Sequence, residues 1–510
     1  MPEENQQRPN ILCFITDQQR ADHLGCAGNT LLKTPNIDRL AASGMRFARC
    51  YTNDPMCCPA RATLWTGHRS SVHGVRHNYI SLDPAIPNIA TALAEAGYRT
   101  HGVGKFHLHQ TSLPASVKSA INGNLALLNP RDWPESQELW KGGHTGALPA
   151  PYYGLQSALG VGGHGDFVWG NYTNWLKRVA PQVVRAIEEW RAREQPDWQT
   201  TGPSHIPAEL HHSRWIADRV IEFLEEQAYS RQPFFCWCSF PDPHHPYHAP
   251  EPYHSMYEPA EMPEPTRRAG ELDDLPPHHR REQERRPAFY RRTPEVIART
   301  YGMITNIDAN VGRVLDALDR LNLRENTVIV YLSDHGDLMG DHWLQQKGPF
   351  HFGGLIKVPF IWSWPGRIPA GRVNSTIVSL LDFAPTILDL CGVPTPNGSL
   401  PKGPHLATTR VLPSWPGHSL RPLLEGSSQA LRDRVLIEQD AEHLRARTLV
   451  TERYRITCYA GREYGELFDL QEDPKELYNL WADPGHRALR DELLLSLLDE
   501  MLMDGSFRSS

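Results

Sequence analysis

Four short segments of the chain have the pattern of buried strands, and each is followed by a residue with acid, base or cationic chemistry. The segments and these residues are 9–16 with Asp17, 98–104 with Lys105, 234–240 with His244 and 327–332 with Asp334. Polar residues follow many strands because loops are polar, but open parallel sheets also bind their ligands at the carboxyl ends of the strands. Because four residues of complementary chemistry share this placement, we expect them to converge on one site.

Helical patterns at 34–44, 87–97 and 293–320 alternate with these strands, as in an α/β fold with a parallel sheet. Segment 110–207 is rich in Gly, Pro, Trp and Asn and lacks clear periodicity, which predicts long loops. The interleaved charges of 267–292 indicate a solvated surface excursion.

The C-terminal part predicts a second, smaller unit. Residues 447–459 alternate as strands do, and 489–503 is amphipathic. We expect an α/β domain over residues 8–396, in which helices flank a mixed, mostly parallel sheet. Residues 397–510 are expected to form a small α+β subdomain with an antiparallel sheet and a closing helix.

The charge and apolar content exclude several classes of partner. Lys and Arg number 52 against 59 Asp and Glu, a net charge of −7, so no global basic field favours nucleic acid. No apolar run is long enough to span a membrane, and the polar start is unlike a signal peptide. Nine cysteines without a CxxC pair argue against a disulfide framework. We expect a soluble, cytoplasmic protein with a small-molecule partner.

Segment 53–67 places two adjacent cysteines, Cys57 and Cys58, ahead of Pro59 and a helix-forming run that ends at Gly67. Because Pro is favoured at the first helical position, Cys57 is predicted at or just before a helix N-terminus. The backbone amides and dipole there favour an anion. Two cysteines buried in a turn fit the same spacing, so spacing alone leaves both interpretations open.

The pattern Cys57-x-Pro59-x-Arg61 resembles the signature of the type I sulfatases of the alkaline phosphatase superfamily, whose cysteine is converted to formylglycine. Further blocks resemble this family in the same order: Asp17, Gly104-Lys105-Phe106-His107, Pro243-His244-His245-Pro246, Ser333-Asp334-His335-Gly336, Lys347-Gly348 and the C-terminal segment 466–480. The resemblance covers nearly the whole chain and implies an alkaline-phosphatase-like fold, which phosphonate monoester hydrolases share.

The resemblance implies a role for each matched residue. The catalytic set is Cys57, Arg61, Lys105, His107, His244 and Lys347; the metal ligands are Asp17, Gln18, Cys57, Asp334 and His335; the substrate-binding set is Asn78, Lys105, His244 and Lys347. Arg61 would stabilise the hydrated aldehyde, and Lys105 with Lys347 would hold sulfate oxygens. Asn78 fits an ordinary turn equally well.

By the family mechanism, a hydroxyl of the hydrated aldehyde at position 57, polarised by the metal and assisted by Asp334, attacks sulfur. His244 or Lys347 protonates the departing alcohol. His107 then takes a proton from the second hydroxyl, so that sulfate leaves and the aldehyde forms again.

The implied cofactors are this modified cysteine and a divalent metal. Carboxylate oxygens prefer Ca²⁺ or Mg²⁺, and we place Ca²⁺ first. The imidazole of His335 leaves Mn²⁺ and Zn²⁺ open. Gln18 and His335 stand where many members of the family have aspartate and asparagine, which lowers the negative charge of the site. A formylglycine-generating enzyme is the implied partner in maturation.

The sequence therefore predicts an arylsulfatase-like hydrolase of a small-molecule or sugar sulfate ester. The alternative is a phosphonate monoester hydrolase or phosphodiesterase, which segment 244–263 resembles. Lys105 with His107 favours sulfate, because those enzymes tend to lack this pair. A catalytically inactive sulfate-binding protein would keep Cys57 as a thiol. The alcohol half of the substrate stays open, and a homo-oligomer is compatible with the sequence.

Overall fold

The protein is built on one large mixed sheet and a smaller antiparallel sheet. The structure, a computed structural model, describes residues 8–197, 199–285, 291–396, 399–400, 410–427, 429–441 and 444–503. In chain order the strands are β1 Asn10–Thr16, β2 Met45–Tyr51, β3 Arg99–Gly104, β4 Ser157–His164, β5 Phe167–Gly170, β6 Thr201–Pro203, β7 Phe234–Ser239, β8 Tyr247–Ala249, β9 Thr327–Ser333, β10 Phe360–Ser363, β11 Arg372–Ser379, β12 Ser399–Leu400, β13 Arg410–Val411, β14 Arg434–Ala441, β15 Leu444–Thr451, β16 Tyr454–Tyr459 and β17 Gly465–Asp469.

Among the described residues, the large sheet has nine strands in the order β11-β2-β10-β9-β1-β7-β3-β4-β5. β1 pairs in parallel with β7 and β9, and β3 pairs in parallel with β7 and β4. β10 and β5 run antiparallel to their neighbours. The expectation of a mixed, mostly parallel sheet is confirmed.

Both faces of the sheet are covered, which explains why its central strands are apolar throughout. In β1, Ile11, Cys13 and Ile15 belong to the core on one face. Leu12 and Phe14 belong to the core on the other face. Successive side chains of a strand point to opposite faces, so a strand buried on both sides reads as a continuous apolar run.

Helices cover these two faces. The α-helices are α1 Pro35–Ala42, α2 Cys57–Thr66, α3 Ser70–His73, α4 Ile89–Glu95, α5 Ala115–Ile121, α6 Gln137–Lys141, α7 Asn171–Val179, α8 Pro181–Glu194, α9 His212–Gln227, α10 Glu271–Asp274, α11 Pro277–Arg285, α12 Thr293–Arg320, α13 Gly353–Ile356, α14 Phe383–Leu390, α15 Arg421–Leu424 and α16 Arg487–Met503. α12 has the bounds that the sequence predicts. No helix in the described part of the chain combines the length and the apolarity needed to cross a bilayer.

The four predicted strands are adjacent and parallel, in the order β9-β1-β7-β3. Asp17 follows β1 directly, Asp334 follows β9 and Lys105 follows β3, whereas His244 lies a few residues beyond β7. These side chains therefore meet at the same edge of the sheet, as predicted.

The prediction of long loops in 110–207 is wrong for the second half of that segment. This half forms β4 and β5, which extend the sheet, and the helices α7 and α8. The alternation of β4 is hidden because it contains several glycines. At Gly162 a Cβ atom would lie 2.2 Å from the indole nitrogen of Trp169, so the close packing of β4 on Trp169 requires glycine.

The C-terminal sheet has the order β14-β15-β16-β17 and is antiparallel throughout. The closing helix α16 packs Leu493 and Leu497 against Leu436 and Ile456 of this sheet. The predicted antiparallel sheet and closing helix are therefore confirmed. The predicted domain boundary after residue 396 stays a prediction, because residues 397 and 398 lie outside the described residues.

One buried arginine connects the C-terminal sheet to the rest of the protein. Arg455 on β16 is 1% exposed and donates to Glu466 at 2.7 Å and to Glu476. Glu476 in turn accepts the backbone N–H of Gly353 at 2.7 Å, at the start of α13. The guanidinium also lies over the ring of Phe468, 4.6 Å from its centroid.

We expect Arg455→Ala to lower the free energy of unfolding by about 3–5 kcal/mol, because removing one partner leaves two buried carboxylates uncompensated. Urea unfolding measures the change. The matched control is Arg453→Ala, which removes an ion pair with Asp469 from an arginine whose side chain is 44% exposed. That control should cost at most about 1 kcal/mol. Equal losses of unfolding free energy in both variants would contradict this stabilising role of Arg455.

Candidate active site

Cys57 is the first residue of α2, as the motif predicts. Pro59 is the third helical residue rather than the first, since Met56 is the N-cap. The backbone N–H of Cys58 is capped by the Asn78 side chain, whose Oδ1 accepts it at 3.0 Å. Gly67 ends the helix with a φ of 67°, the left-handed conformation that favours glycine.

Four potential ligands converge in front of this helix. Asp17, Cys57, Asp334 and His335 each offer one atom, and these atoms lie within 4.8 Å of one another. Cys57 Sγ is 3.6 Å from Asp17 Oδ1 and 3.2 Å from His335 Nε2. Asp334 Oδ1 is 3.8 Å from the same nitrogen. Both carboxylates and the imidazole are fully buried.

This donor set fits a divalent metal ion. His335 Nδ1 lies 2.9 Å from the carbonyl of Gly336, which only accepts, so Nδ1 carries the proton and Nε2 presents its lone pair to the cluster. Ligand atoms that share an ion at about 2.1–2.6 Å lie roughly 3.0–3.7 Å apart, close to the separations observed. Two carboxylates favour a hard cation.

Two cations neutralise the buried carboxylates. Arg61, itself fully buried, donates to Asp334 Oδ2 at 2.8 Å and to Asp17 Oδ2 at 3.2 Å. Lys105 Nζ contacts Asp17 Oδ2 at 2.5 Å. Burial alone raises the pKa of Asp17, but Lys105, with His244, Arg61 and Lys347, outweighs burial and holds this pKa well below its usual value.

Lys347 also contacts Cys57. Its Nζ lies 2.9 Å from Cys57 Sγ and 3.0 Å from Gln18 Oε1. Burial and Asp17 raise the pKa of the Cys57 thiol, whereas Lys105, Lys347 and His335 lower it by more. The pKa therefore lies well below its usual value. The pocket around position 57 therefore stabilises negative charge.

His244 is a further partner of Lys347. Its Nδ1 lies 2.5 Å from the carbonyl of His245, so Nδ1 carries the proton and Nε2 accepts from Lys347 Nζ at 2.9 Å. The imidazole of His164 stacks on His244 with ring centroids 3.6 Å apart, and His164 Nε2 lies 2.6 Å from Lys105 Nζ. The two lysines and two histidines form one connected polar group.

His107 lies after β3, and its ring is held differently from those of the other predicted residues. The side chain is buried, yet neither ring nitrogen has a hydrogen-bond partner among the described residues. The backbone N–H of His107 donates to Glu135 at 2.7 Å. Within the described part of the chain, hydrogen bonds therefore connect every predicted residue to the cluster around Cys57, with two exceptions. The His107 ring makes none there, and Asn78 binds the neighbouring amide.

The structure adds three residues that sequence reasoning missed. His164 ends β4, where the strand-end rule points to it, but the glycines of that strand hide the signal. Glu135 lies in segment 110–207, which carries no recognised motif. Asp337 accepts from Gln18 Nε2 at 2.6 Å and follows the Asp334 motif by three residues, so only its proximity in sequence could have marked it.

A second buried group of titratable side chains, His211, His212 and Asp242, lies nearby. His211 Nδ1 accepts the backbone N–H of Ser213 at 3.3 Å, which caps the start of α9. The backbone carbonyl of Asp242 accepts the N–H of Asp17 at 3.1 Å. This group therefore supports the backbone that carries Asp17.

Comparisons with known proteins find related families, sequences and structures. A family model described as Sulfatase matches residues 9–393, and one described as N-sulphoglucosamine sulphohydrolase, C-terminal, matches residues 340–502. An arylsulfatase of Clostridium perfringens is 27% identical, over 97% of this chain and 94% of that protein. A choline-sulfatase of Rhizobium meliloti is 28% identical, over 97% of this chain and 86% of that protein. The solved structure of a phosphonate monoester hydrolase of Agrobacterium radiobacter is 28% identical with a TM-score of 0.73, covering 97% and 96% of the two chains.

We expect Asp334→Asn to weaken Ca²⁺ binding by more than about 100-fold. Substitution of a residue that only contacts a metal ligand already lowers metal affinity by about 10–100-fold, and Asp334 is a proposed ligand itself. Calorimetric titration of metal-stripped protein measures this. Asp337→Asn is the matched control, since its carboxylate lies on the same segment but outside the group of four potential ligands. Unchanged Ca²⁺ affinity in Asp334→Asn would place the ion elsewhere.

Proposed function

Because the chain belongs to the sulfatase family, we propose that it hydrolyses sulfate monoesters with a formylglycine formed from Cys57. The observation that carries the proposal is the position of Cys57 at a helix N-terminus, facing Asp17, His335 and Lys347 at 3.6, 3.2 and 2.9 Å. A formylglycine there supplies, as its hydrate, a hydroxyl nucleophile of a kind that no unmodified side chain offers. A formylglycine-generating enzyme would be the partner in maturation.

Asp17, Asp334, His335 and the modified residue 57 would hold the metal, with Gln18 Oε1 3.0 Å from Lys347 at the border of the site. We propose Ca²⁺, because two carboxylates dominate the donor set. The ion would supply positive charge that polarises the nucleophile and sulfate oxygens.

The cationic side chains would bind the sulfate group. Lys347 Nζ lies 2.9 Å from Cys57 Sγ, and Lys105 Nζ lies 2.5 Å from Asp17 Oδ2. Their ammonium groups would contact the non-bridging oxygens. Arg61 donates to Asp17, Asp334, the carbonyl of Lys105 and the hydroxyl of Ser239. Arg61 therefore orients these groups rather than touching the alcohol half of the substrate.

Lys347 is a better candidate than His244 for the acid that protonates the departing alcohol. The tautomer set by the His245 carbonyl leaves His244 Nε2 as an acceptor, so the proton between the two side chains is on Lys347. Lys347 would protonate the bridging oxygen as the sulfur–oxygen bond breaks, and His244 would orient the ammonium group. His107 would then accept a proton from the second hydroxyl of residue 57, and the loss of this proton would allow sulfate to leave.

For the alcohol half we propose a small organic group, with an aryl sulfate as the experimental substrate. Relatives named arylsulfatase and choline-sulfatase match nearly the whole chain, so both alcohol classes are compatible with the scaffold.

A phosphonate monoester hydrolase is the second candidate. The likeness to the Agrobacterium radiobacter enzyme, with a TM-score of 0.73, favours it. We place it second because Lys105 and His107 are both present, and Lys105 adds a buried positive charge beside the nucleophile position.

We expect Cys57→Ala to abolish aryl sulfate hydrolysis in protein produced together with a formylglycine-generating enzyme. Cys58→Ser is the matched control, because Cys58 is equally buried but its Sγ faces the carbonyl of Ile80. Mass spectrometry of the tryptic peptide should show aldehyde in the wild type and in Cys58→Ser. Turnover that survives in Cys57→Ala would overturn the nucleophile assignment.

We expect Lys347→Met to slow phenyl sulfate hydrolysis more than 4-nitrophenyl sulfate hydrolysis, since the poorer leaving group depends on proton transfer worth about 10²–10⁴-fold. His244→Gln keeps an acceptor facing Lys347 and should retain the wild-type ratio between the two esters. Initial rates on both esters measure this ratio. The reverse pattern, with the ratio changed only in His244→Gln, would assign the proton to His244.

A further inference from the structure

Glu135 binds three consecutive backbone amides of the segment that carries His107. Glu135 Oε2 accepts the N–H of His107 at 2.7 Å, and Oε1 accepts those of Leu108 and His109 at 2.9 Å each. The hydroxyl of Tyr152 donates to Oε1 at 2.5 Å. Only 7% of the residue is exposed, so the carboxylate lies buried among these protein donors.

This segment needs a buried anion to keep its conformation. His107 has a φ of 53°, in the left-handed region that a residue with a side chain adopts at a cost. Successive amides next to such a residue point into one concavity that binds an anion. Without the carboxylate, these amides would be buried donors with nothing to accept them.

The Glu135 backbone is itself fixed by two tryptophans. The indole N–H of Trp169 donates to the Glu135 carbonyl at 3.0 Å, and that of Trp140 donates to the Pro134 carbonyl at 2.8 Å. Both indoles are buried. The segment 110–207 therefore supplies a rigid support for the loop after β3, although it carries no motif that resembles the family.

No hydrogen bond to the ring of His107 fixes its orientation among the described residues. It is 5% exposed, and its two nitrogens have no hydrogen-bond partner in the described part of the chain. Its orientation is therefore set by packing and by the backbone that Glu135 holds.

We propose that Glu135 is a positioning residue for His107: its carboxylate, bound to the amides of residues 107–109, sets the ring for the proton transfer that releases sulfate. This inference rests on the proposed function, in which alcohol leaves in the first step and His107 acts in the second. Glu135 itself does not touch the substrate.

Stopped-flow hydrolysis of 4-nitrophenyl sulfate by Glu135→Gln tests this. Glutamine keeps the shape and one acceptor, but its NH₂ group faces amides that also donate. We expect kcat to fall by about tenfold to a hundredfold, the size of a lost hydrogen bond to a charged group. We also expect a burst of nitrophenol followed by slow turnover, because only the second step is impaired. His107→Ala should show the same burst, and the double variant should be no slower than the slower single variant.

Glu138→Gln is the matched control, because Glu138 lies in the same segment and accepts the N–H of Leu113 instead. It should keep wild-type kinetics. Two results would overturn the inference. One is that Glu135→Gln has the same kinetics as Glu138→Gln, and the other is that Glu135→Gln slows nitrophenol release and turnover equally and shows no burst. If Glu135→Gln does not fold, Tyr152→Phe removes one hydrogen bond and keeps the carboxylate. A smaller rate loss with a burst then supports the inference, and wild-type kinetics contradict it.

Failure of the proposed function is distinguishable from failure of this inference. Wild-type protein with converted Cys57 that hydrolyses no sulfate ester would sink the proposed function. Wild-type activity together with a Glu135→Gln variant that shows no burst would sink the positioning role alone.

Discussion

Two carboxylates without exposure to water, Asp17 and Asp334, are held at the end of a sheet that is apolar on both faces. An uncompensated charge in such a place costs several kcal/mol, so the fold requires buried cations close by. Arg61 contacts both carboxylates, and Lys105 contacts Asp17. Folding therefore requires the positive charge of the site, and the same charge can bind an anion.

This requirement explains how distant parts of the chain are tied together. Arg61 comes from α2, whose first residue is Cys57, so the ion pairs that neutralise the carboxylates also bring the helix N-terminus to the strand ends. Lys105 extends the same network to His164 at the end of β4. The residue that is the proposed nucleophile and the groups that would bind sulfate are consequently fixed by one set of buried contacts.

The strand ends and the cysteine motif could be predicted because each depends on local pattern. Apolar runs reveal buried strands, and Asp17, Lys105 and Asp334 follow them directly. The roles of Glu135 and His164 could not be predicted, because both depend on contacts with residues far along the chain or on a strand whose glycines erase its alternation. The position of Pro59 in α2 differs from the prediction because Cys57 and Cys58 themselves begin the helix, a boundary that propensity does not resolve.

The proposed sulfatase activity is best tested by measuring kcat/KM for an aryl sulfate and for the corresponding aryl phosphonate monoester. The protein used is one whose Cys57 has been converted to formylglycine. Because the ammonium groups of Lys105 and Lys347 bind Asp17 and Cys57 at this site, we expect a clear preference for the sulfate ester. A preference for the phosphonate would contradict it and move the protein to the second candidate function.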